Sequence, residues 1–303
     1  MSASPFPDLV DRLAPSVVGL PDGRAGGSGV IVAPGVAVTL ARNVPGDDGD
    51  LTLATTAGPV PATVAGRDLS VDLAVVRFDA DTYNLPALDW AAGDGDGDTP
   101  PLRIGTPVHA FGDPAGRGLR ATTGAVAGAP RAVRGPTGRL LEGALEHTAI
   151  LPRGAGGGPL VDGDGRVLGL NAVRLPGGLI LAWPASALAA RATALAAGRT
   201  TAPPRIGVAL ATPRQTQRMR AAVGLDHVDG VLVRDVADGS PAAAAGLRRG
   251  DVLVAAGGTP LTEVDALFAA VDTAASATDR ALTLSVLRGA DQTDIIISLD
   301  QET

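Results

Sequence analysis

The chain has 303 residues, 45% hydrophobic and 19% charged, which suits two or three globular domains, each with its own core. A net charge of −7 argues against a general binder of nucleic acid or anionic membranes, and no apolar run reaches the roughly 18 residues of a membrane span. With no cysteine, disulfides and thiolate metal sites are excluded. The 41 glycines and 24 prolines point to many turns and hence to β structure, while aromatics at 2% leave the core to Val, Leu, Ile and Ala.

In chain order, Asp8 to Leu20 reads as a short helix ending before Pro15, then a strand. Gly27–Val32 and Val36–Thr39 form a hairpin around Pro34-Gly35. A strand ending at Phe78 follows Asp72, which by itself reads as a turn carboxylate. Asp94-Gly-Asp-Gly-Asp98 invites a calcium loop, but Thr99 and Gly105 stand where the loop needs Gly and a carboxylate, so a solvated turn is expected. Arg117, Arg120, Arg131, Arg134 and Arg139 fall between Pro114 and Leu141 with no acid among them. A local anion patch and a plain solvated loop both fit that run.

Arg153-Gly-Ala-Gly-Gly-Gly-Pro-Leu160 is the most informative stretch. Three consecutive glycines let the backbone take conformations closed to other residues. Leu160-Val161, the turn Asp162–Gly165 and Val167–Asn171 then read as a hairpin. A phosphate loop fails because the chain has no lysine, and a dinucleotide fingerprint fails because Pro159 replaces the third glycine. No cofactor and no metal is expected. A strand at Gly178–Pro184, a helix at about Ala185–Ala197 and a linker ending in Pro203-Pro204 follow. Beyond the linker come Ile206–Leu210, a helix from Pro213 to Val223, Gly230–Val233, and Gly239-Ser-Pro-Ala running to Val254. Thr262 reads as the N-cap of a helix to Ala274, with Asp265 in its first turn. Strands at Ala281–Leu287 and Thr293–Leu299 close the chain.

The glycine loop resembles the nucleophile loop of the HtrA/Deg family of trypsin-like proteases, Gly-Asn-Ser-Gly-Gly-Pro-Leu, with Gly156 in the serine's place. Pro15-Ser-Val-Val18, Asp72-Leu-Ala-Val75 and Leu181-Ala-Trp-Pro184 resemble further family segments, and the Gly239-Ser-Pro-Ala…Ala-Gly-Leu…Gly-Asp251 string resembles the family's PDZ domain. The implied fold is mainly β: a trypsin-like double six-stranded β-barrel over residues 1–197, a linker at 198–204, and an α+β PDZ domain over 205–303. The family's Thr-Asn-Ala-His-Val reads Thr39-Leu-Ala-Arg-Asn43 here, which puts Arg42 in the histidine's position. By resemblance the triad positions are therefore Arg42, Asp72 and Gly156, of which Asp72 alone keeps its type.

Arginine stays protonated at working pH and glycine carries no nucleophile, so neither can do the work of a serine–histidine pair. Arg42 is instead expected to pair with Asp72. Of the three histidines, His147 precedes Gly156 by nine residues, His109 falls in a barrel strand and His227 in the PDZ region; none is expected to act as a base. The resemblance thus implies a non-enzymatic pseudoprotease, a scaffold that binds C-terminal or extended peptides or regulates an active relative through its PDZ domain. An HtrA-like endopeptidase with an unorthodox site is the alternative, and a PDZ groove closed by its own chain is a third. In the PDZ region the resemblance assigns carboxylate capture to Ile206-Gly207, a receiving edge strand to Val208-Ala209-Leu210, and the opposite wall to Leu267 and Val271. Val264 and Phe268 fit core and groove equally. Active relatives commonly form trimers through their N-terminal segment, so a homotrimer is a weaker expectation. The start of the chain has no signal-peptide pattern, which points to the cytoplasm; an extracytoplasmic site follows if a leader has been removed.

Overall fold

The computed structural model describes residues 6–21, 26–45, 49–91, 102–199 and 203–299. The Asp94–Asp98 turn lies outside the described residues. The chain divides into two compact units, Met1–Ala202 and Pro203–Thr303.

The first unit begins with helix α1 (Phe6–Leu13), which buries Leu9 and Leu13, and a 3₁₀ turn at Ala14–Ser16. Strands β1 (Val17–Leu20), β2 (Gly27–Ala33), β3 (Val36–Leu40), β4 (Asp50–Thr55), β5 (Gly58–Asp68) and β6 (Leu73–Phe78) follow. They close into a barrel in the order β1-β2-β3-β6-β5-β4. Alternation along each strand sends one set of side chains inward: Val18, Leu20, Ile31, Leu53, Val60, Val64 and Val76 fill the barrel.

After a one-turn helix α2 (Ala80–Tyr83) come β7 (Pro107–Gly112), β8 (Arg120–Ala125), β9 (Arg131–Arg134), β10 (Leu140–His147), β11 (Pro159–Val161), β12 (Val167–Arg174) and β13 (Ile180–Pro184). They form a seven-stranded sheet ordered β8-β7-β11-β12-β13-β10-β9. This sheet stands where the second barrel was expected, with β9 as an added strand at its edge. Between β8 and β10 the ladder shrinks to a single bridge, Val126 to His147, because β10 spends its other half pairing with β9. The faces that the barrel and sheet turn towards each other are sealed by Val38, Leu40, Leu73, Phe111, Val161, Leu170 and Trp183. Helix α3 (Ala185–Ala196) caps this core with Leu188, Ala192 and Leu195, and its Arg191 pairs with the fully buried Asp68 at the end of β5.

The second unit is a sheet ordered β14 (Val208–Leu210), β15 (Val231–Val236), β16 (Val252–Ala256), β18 (Ala281–Arg288) and β19 (Asp291–Ser298), with β17 (Thr259–Pro260) pairing β16. Helix α4 (Pro213–Ala222) starts with a capping box, Thr212 Oγ1 accepting from Gln215 N–H and Gln215 Oε1 from Thr212 N–H. The short helix α5 (Pro241–Ala244) is capped by Ser240. Helix α6 (Val264–Ser276) departs from the sequence expectation: its N-cap is Glu263, held in extended backbone, so the helix begins one residue past the place where Thr262 could cap it. Asp251, 1% exposed, accepts from Arg288 Nε at 2.8 Å and Arg288 Nη2 at 2.7 Å, tying the start of β16 to the end of β18. Among the described residues no helix is long and apolar enough to cross a membrane.

Candidate functional site

Arg42 lies on a 3₁₀ turn, Ala41–Asn43, that ends the β3 hairpin strand. Asp72 lies on the turn before β6. The register Leu40↔Leu73 brings these two turns side by side. Asp72 sits in the left-handed region, φ +52, a conformation costly for a residue with a Cβ. It grips the facing turn at three points. Its carbonyl accepts from Ala41 N–H at 3.0 Å, its Oδ1 from Arg42 N–H at 3.2 Å, and its Oδ2 takes an ion pair from Arg42 Nη1. Arg42 Nη2 donates to the Ala172 carbonyl at the end of β12. The side-chain pair expected from the sequence therefore forms, but it is half open: Asp72 is buried while 47% of the Arg42 side chain is exposed. Burial pushes the Asp72 carboxyl above its ordinary value, against the pull of the Arg42 charge and of the N–H donors.

The glycine loop lies across from this pair. Gly157, φ +91, is packed so closely that a Cβ there would overlap the Ser28 carbonyl and crowd Thr39 Oγ1, and a Cβ at Gly158 would overlap the Phe111 carbonyl. Gly156 differs. A Cβ there would meet Leu40 Cδ1 at 3.4 Å and Arg42 Nη2 at 3.6 Å, ordinary contacts. The loop is held from its carbonyl side: Gly156 C=O accepts from Ser28 N–H at 3.0 Å and Asn43 Nδ2 at 2.8 Å, and Gly157 N–H donates to Asn171 C=O at 2.7 Å. Arg42, Asp72 and Gly156 thus share one cleft.

Two residues that the sequence reading left aside hold this cleft. Asn171 donates its amide to Gly158 C=O at 2.9 Å and Pro159 C=O at 3.0 Å, and its Oδ1 lies 2.9 Å from His147 Nε2. Asn43 Nδ2 donates to Thr39 Oγ1 at 2.9 Å as well as to the Gly156 carbonyl, tying the loop to β3. The available signal was an amide closing the apolar run Val167–Leu170, since a buried polar group there needs partners. His147 is fully buried, and burial lowers its pKa to about 4; it anchors Asn171. His109 stacks on Phe6 at 4.9 Å, and His227 lies at hydrogen-bond distance from Asp229. The arginines after Pro114 mostly brace their own loops, Arg117 on Pro114 C=O and Arg134 on Gly138 C=O, while Arg131 pairs with Glu146. Among the described residues no group of three or more His, Asp or Glu side chains gathers as metal ligands do.

In the second unit β14 is an edge strand, paired on one side by Val208↔Val236, Ala209↔Asp235 and Leu210↔Val233. Gly207, φ +78, presses on Ser240 so that a Cβ would overlap it, and its carbonyl accepts from Ala237 N–H at 2.9 Å. Ile206 is buried, with its carbonyl accepting from Ala242 N–H at 3.0 Å. Ala209 faces outward, opposite to Val208 and Leu210, which pack on the core. Leu267 and Val271 require a correction. They are 1% and 2% exposed and belong to the core with Val231, Leu253 and Leu284, so they offer a ligand no wall. Helical periodicity identifies an apolar face but not what covers it; here the sheet does. Val264 and Phe268, further out, are partly buried.

Comparison with known proteins agrees with this architecture. Residues 27–170 match the trypsin-like peptidase domain family and residues 232–288 the PDZ domain family. HhoA of Synechocystis sp. is 34% identical over 274 residues, covering 87% of this chain and 67% of its own length. The periplasmic serine endoprotease DegP of Escherichia coli is 28% identical over 247 residues, 80% of this chain but 49% of its own length. The chain thus spans two thirds of HhoA and about half of DegP. A solved structure of the HtrA-type protease AlgW with a decapeptide superposes with a TM-score of 0.69 over 99% of this chain and 100% of its own, at 22% identity, a likeness of fold. A crystal structure of the serine endoprotease from Yersinia pestis gives 0.65 at 26% identity, covering 98% of each chain. The chain belongs to the HtrA/Deg family, with a trypsin-like peptidase domain followed by a PDZ domain.

Proposed function

We propose that this family member does not cut peptide bonds and acts as a peptide-binding scaffold or regulator through its PDZ domain. One observation carries the reading: the guanidinium of Arg42 is locked onto Asp72 with Gly156 beside it. Acyl transfer of the serine-protease kind needs a nucleophilic oxygen and a base to take its proton. Gly156 supplies no oxygen. Arg42 cannot accept a proton at any working pH. Losing such a pair costs about 10⁶ in kcat, which leaves no useful turnover. No substitute base reaches the cleft from His147, which is buried against Asn171.

Peptide capture falls to β14, which has no partner strand on its outer edge among the described residues, with Gly207 just before it. The partner is an extended or C-terminal peptide segment. The test is turnover and labelling. The purified chain should neither degrade an unfolded casein nor take a fluorophosphonate label, and proteolysis that follows the protein peak through repurification defeats the reading.

A further inference from the structure

We infer that the cleft between Arg42 and the glycine loop is a receptor for a carboxylate, the charged end of a peptide chain; this rests on the reading that the cleft performs no hydrolysis. Arg42 is held at two points, by Asp72 and by the Ala172 carbonyl, yet nearly half of its side chain is exposed. Its Nη2, which also donates to the Ala172 carbonyl, lies 3.6 Å from the place where a Cβ on Gly156 would stand, so the guanidinium overlooks the loop. A guanidinium has five N–H donors, and two anchoring bonds leave others unspent.

The loop has donors to spare as well. The carbonyls of Gly154 and Gly156 are engaged by Ser28 Oγ and by Ser28 N–H with Asn43 Nδ2, and the N–H groups of Ala155, Gly157 and Gly158 each have an acceptor. Among the described residues, the N–H groups of Gly154 and Gly156 have none. Side chains behind the loop hold it in place, so these donors are fixed rather than recruited on binding. Arg153, exposed at the start of the loop, adds positive charge, and the one acid in contact with Arg42 is already spent on it. A carboxylate has two oxygens, one for the loop N–H groups and one for the Arg42 edge. A neutral amide carries no charge for either. The site therefore distinguishes the end of a chain from its middle.

The test uses the full chain, ¹⁵N-labelled, titrated with N-acetyl-alanine and separately with N-acetyl-alanine amide while amide resonances are followed. The acid should move the Gly154 and Gly156 signals saturably and the amide should not. In Arg42→Gln the response to the acid should weaken about tenfold, the loss of one charge-assisted contact, with the remaining spectrum reporting that the variant is folded. The Gly207 amide reports any binding at the PDZ domain separately. Unmoved Gly154 and Gly156 signals, or equal movement by acid and amide, overturn the inference whatever the casein assay gives. Proteolysis in that assay overturns the inactive reading, whether or not these signals move.

Discussion

At the residue scale, Gly156 is a glycine by composition but not by steric need. Gly157 and Gly158 cannot carry a side chain, whereas a Cβ at 156 meets nothing closer than 3.4 Å. Gly156→Ser should therefore fold, and alone it should remain inert because Arg42 cannot take its proton. Arg42→His together with Gly156→Ser should gain fluorophosphonate labelling over the single variant. No gain in a folded double variant would show that the cleft has lost more than two side chains. Arg42→Leu strands the Asp72 carboxylate, at an expected cost of about 1–3 kcal/mol at pH 7. That is less than for a wholly buried pair, because water reaches Arg42. The pH dependence follows from the raised Asp72 value. Between the ordinary 3.8 and the folded value, the folded chain holds a proton that the unfolded chain has released, so stability falls as pH rises through that window. Without Arg42 the folded value climbs further and the window widens upward. Urea melts should show Arg42→Leu penalised more at pH 7 than at pH 4.

At the element scale, the glycine loop and helix α6 make opposite points. Gly157→Ala combines left-handed strain with an overlap on the Ser28 carbonyl, and should destabilise the first unit by roughly 2–4 kcal/mol, while Gly156→Ala stays within about 1 kcal/mol. Equal costs for the two would contradict the loop geometry. On α6, Leu267 packs against the sheet, so Leu267→Ala should cost about 2–5 kcal/mol as a cavity in the second unit. A variant of full stability that merely bound peptide less well would return Leu267 to the groove. The hydrophobic spacing Val264, Leu267, Phe268, Val271 was legible as one helical face, but spacing is blind to which part of that face lies under a strand.

At the scale of the whole molecule, the function proposed above divides the work between the cleft of one domain and the strand edge of the other. Peptide binding tests this division. A peptide with a free apolar C-terminus should perturb the amides of Val208, Ala209 and Leu210 in the full chain at micromolar concentration, and β14 should be the strand it extends. Changes confined to the outer face of β15, with β14 unmoved, would remove the edge strand from the reading.

Sequence alone determined the first hairpin, the glycine loop and the hairpin after it, most elements of the second unit, the two domain families and the trio Arg42, Asp72 and Gly156. It showed no sign of the strands over 50–68 and 131–147. Glycine triplets, Pro-Pro linkers and alternating apolar runs are local signals, and motif strings carry their order wherever the chain goes. Tertiary structure decided the rest. That Arg42 reaches both Asp72 and the Ala172 carbonyl depends on three strand ends converging. That Asn171 and Asn43 hold the loop depends on partners more than a hundred residues away for Asn43 and a dozen for Asn171. The seventh strand of the second sheet, and the burial of Leu267 and Val271, follow from pairing and coverage. Such contacts are settled by which surfaces meet when the core closes, and no stretch of sequence read by itself contains that information.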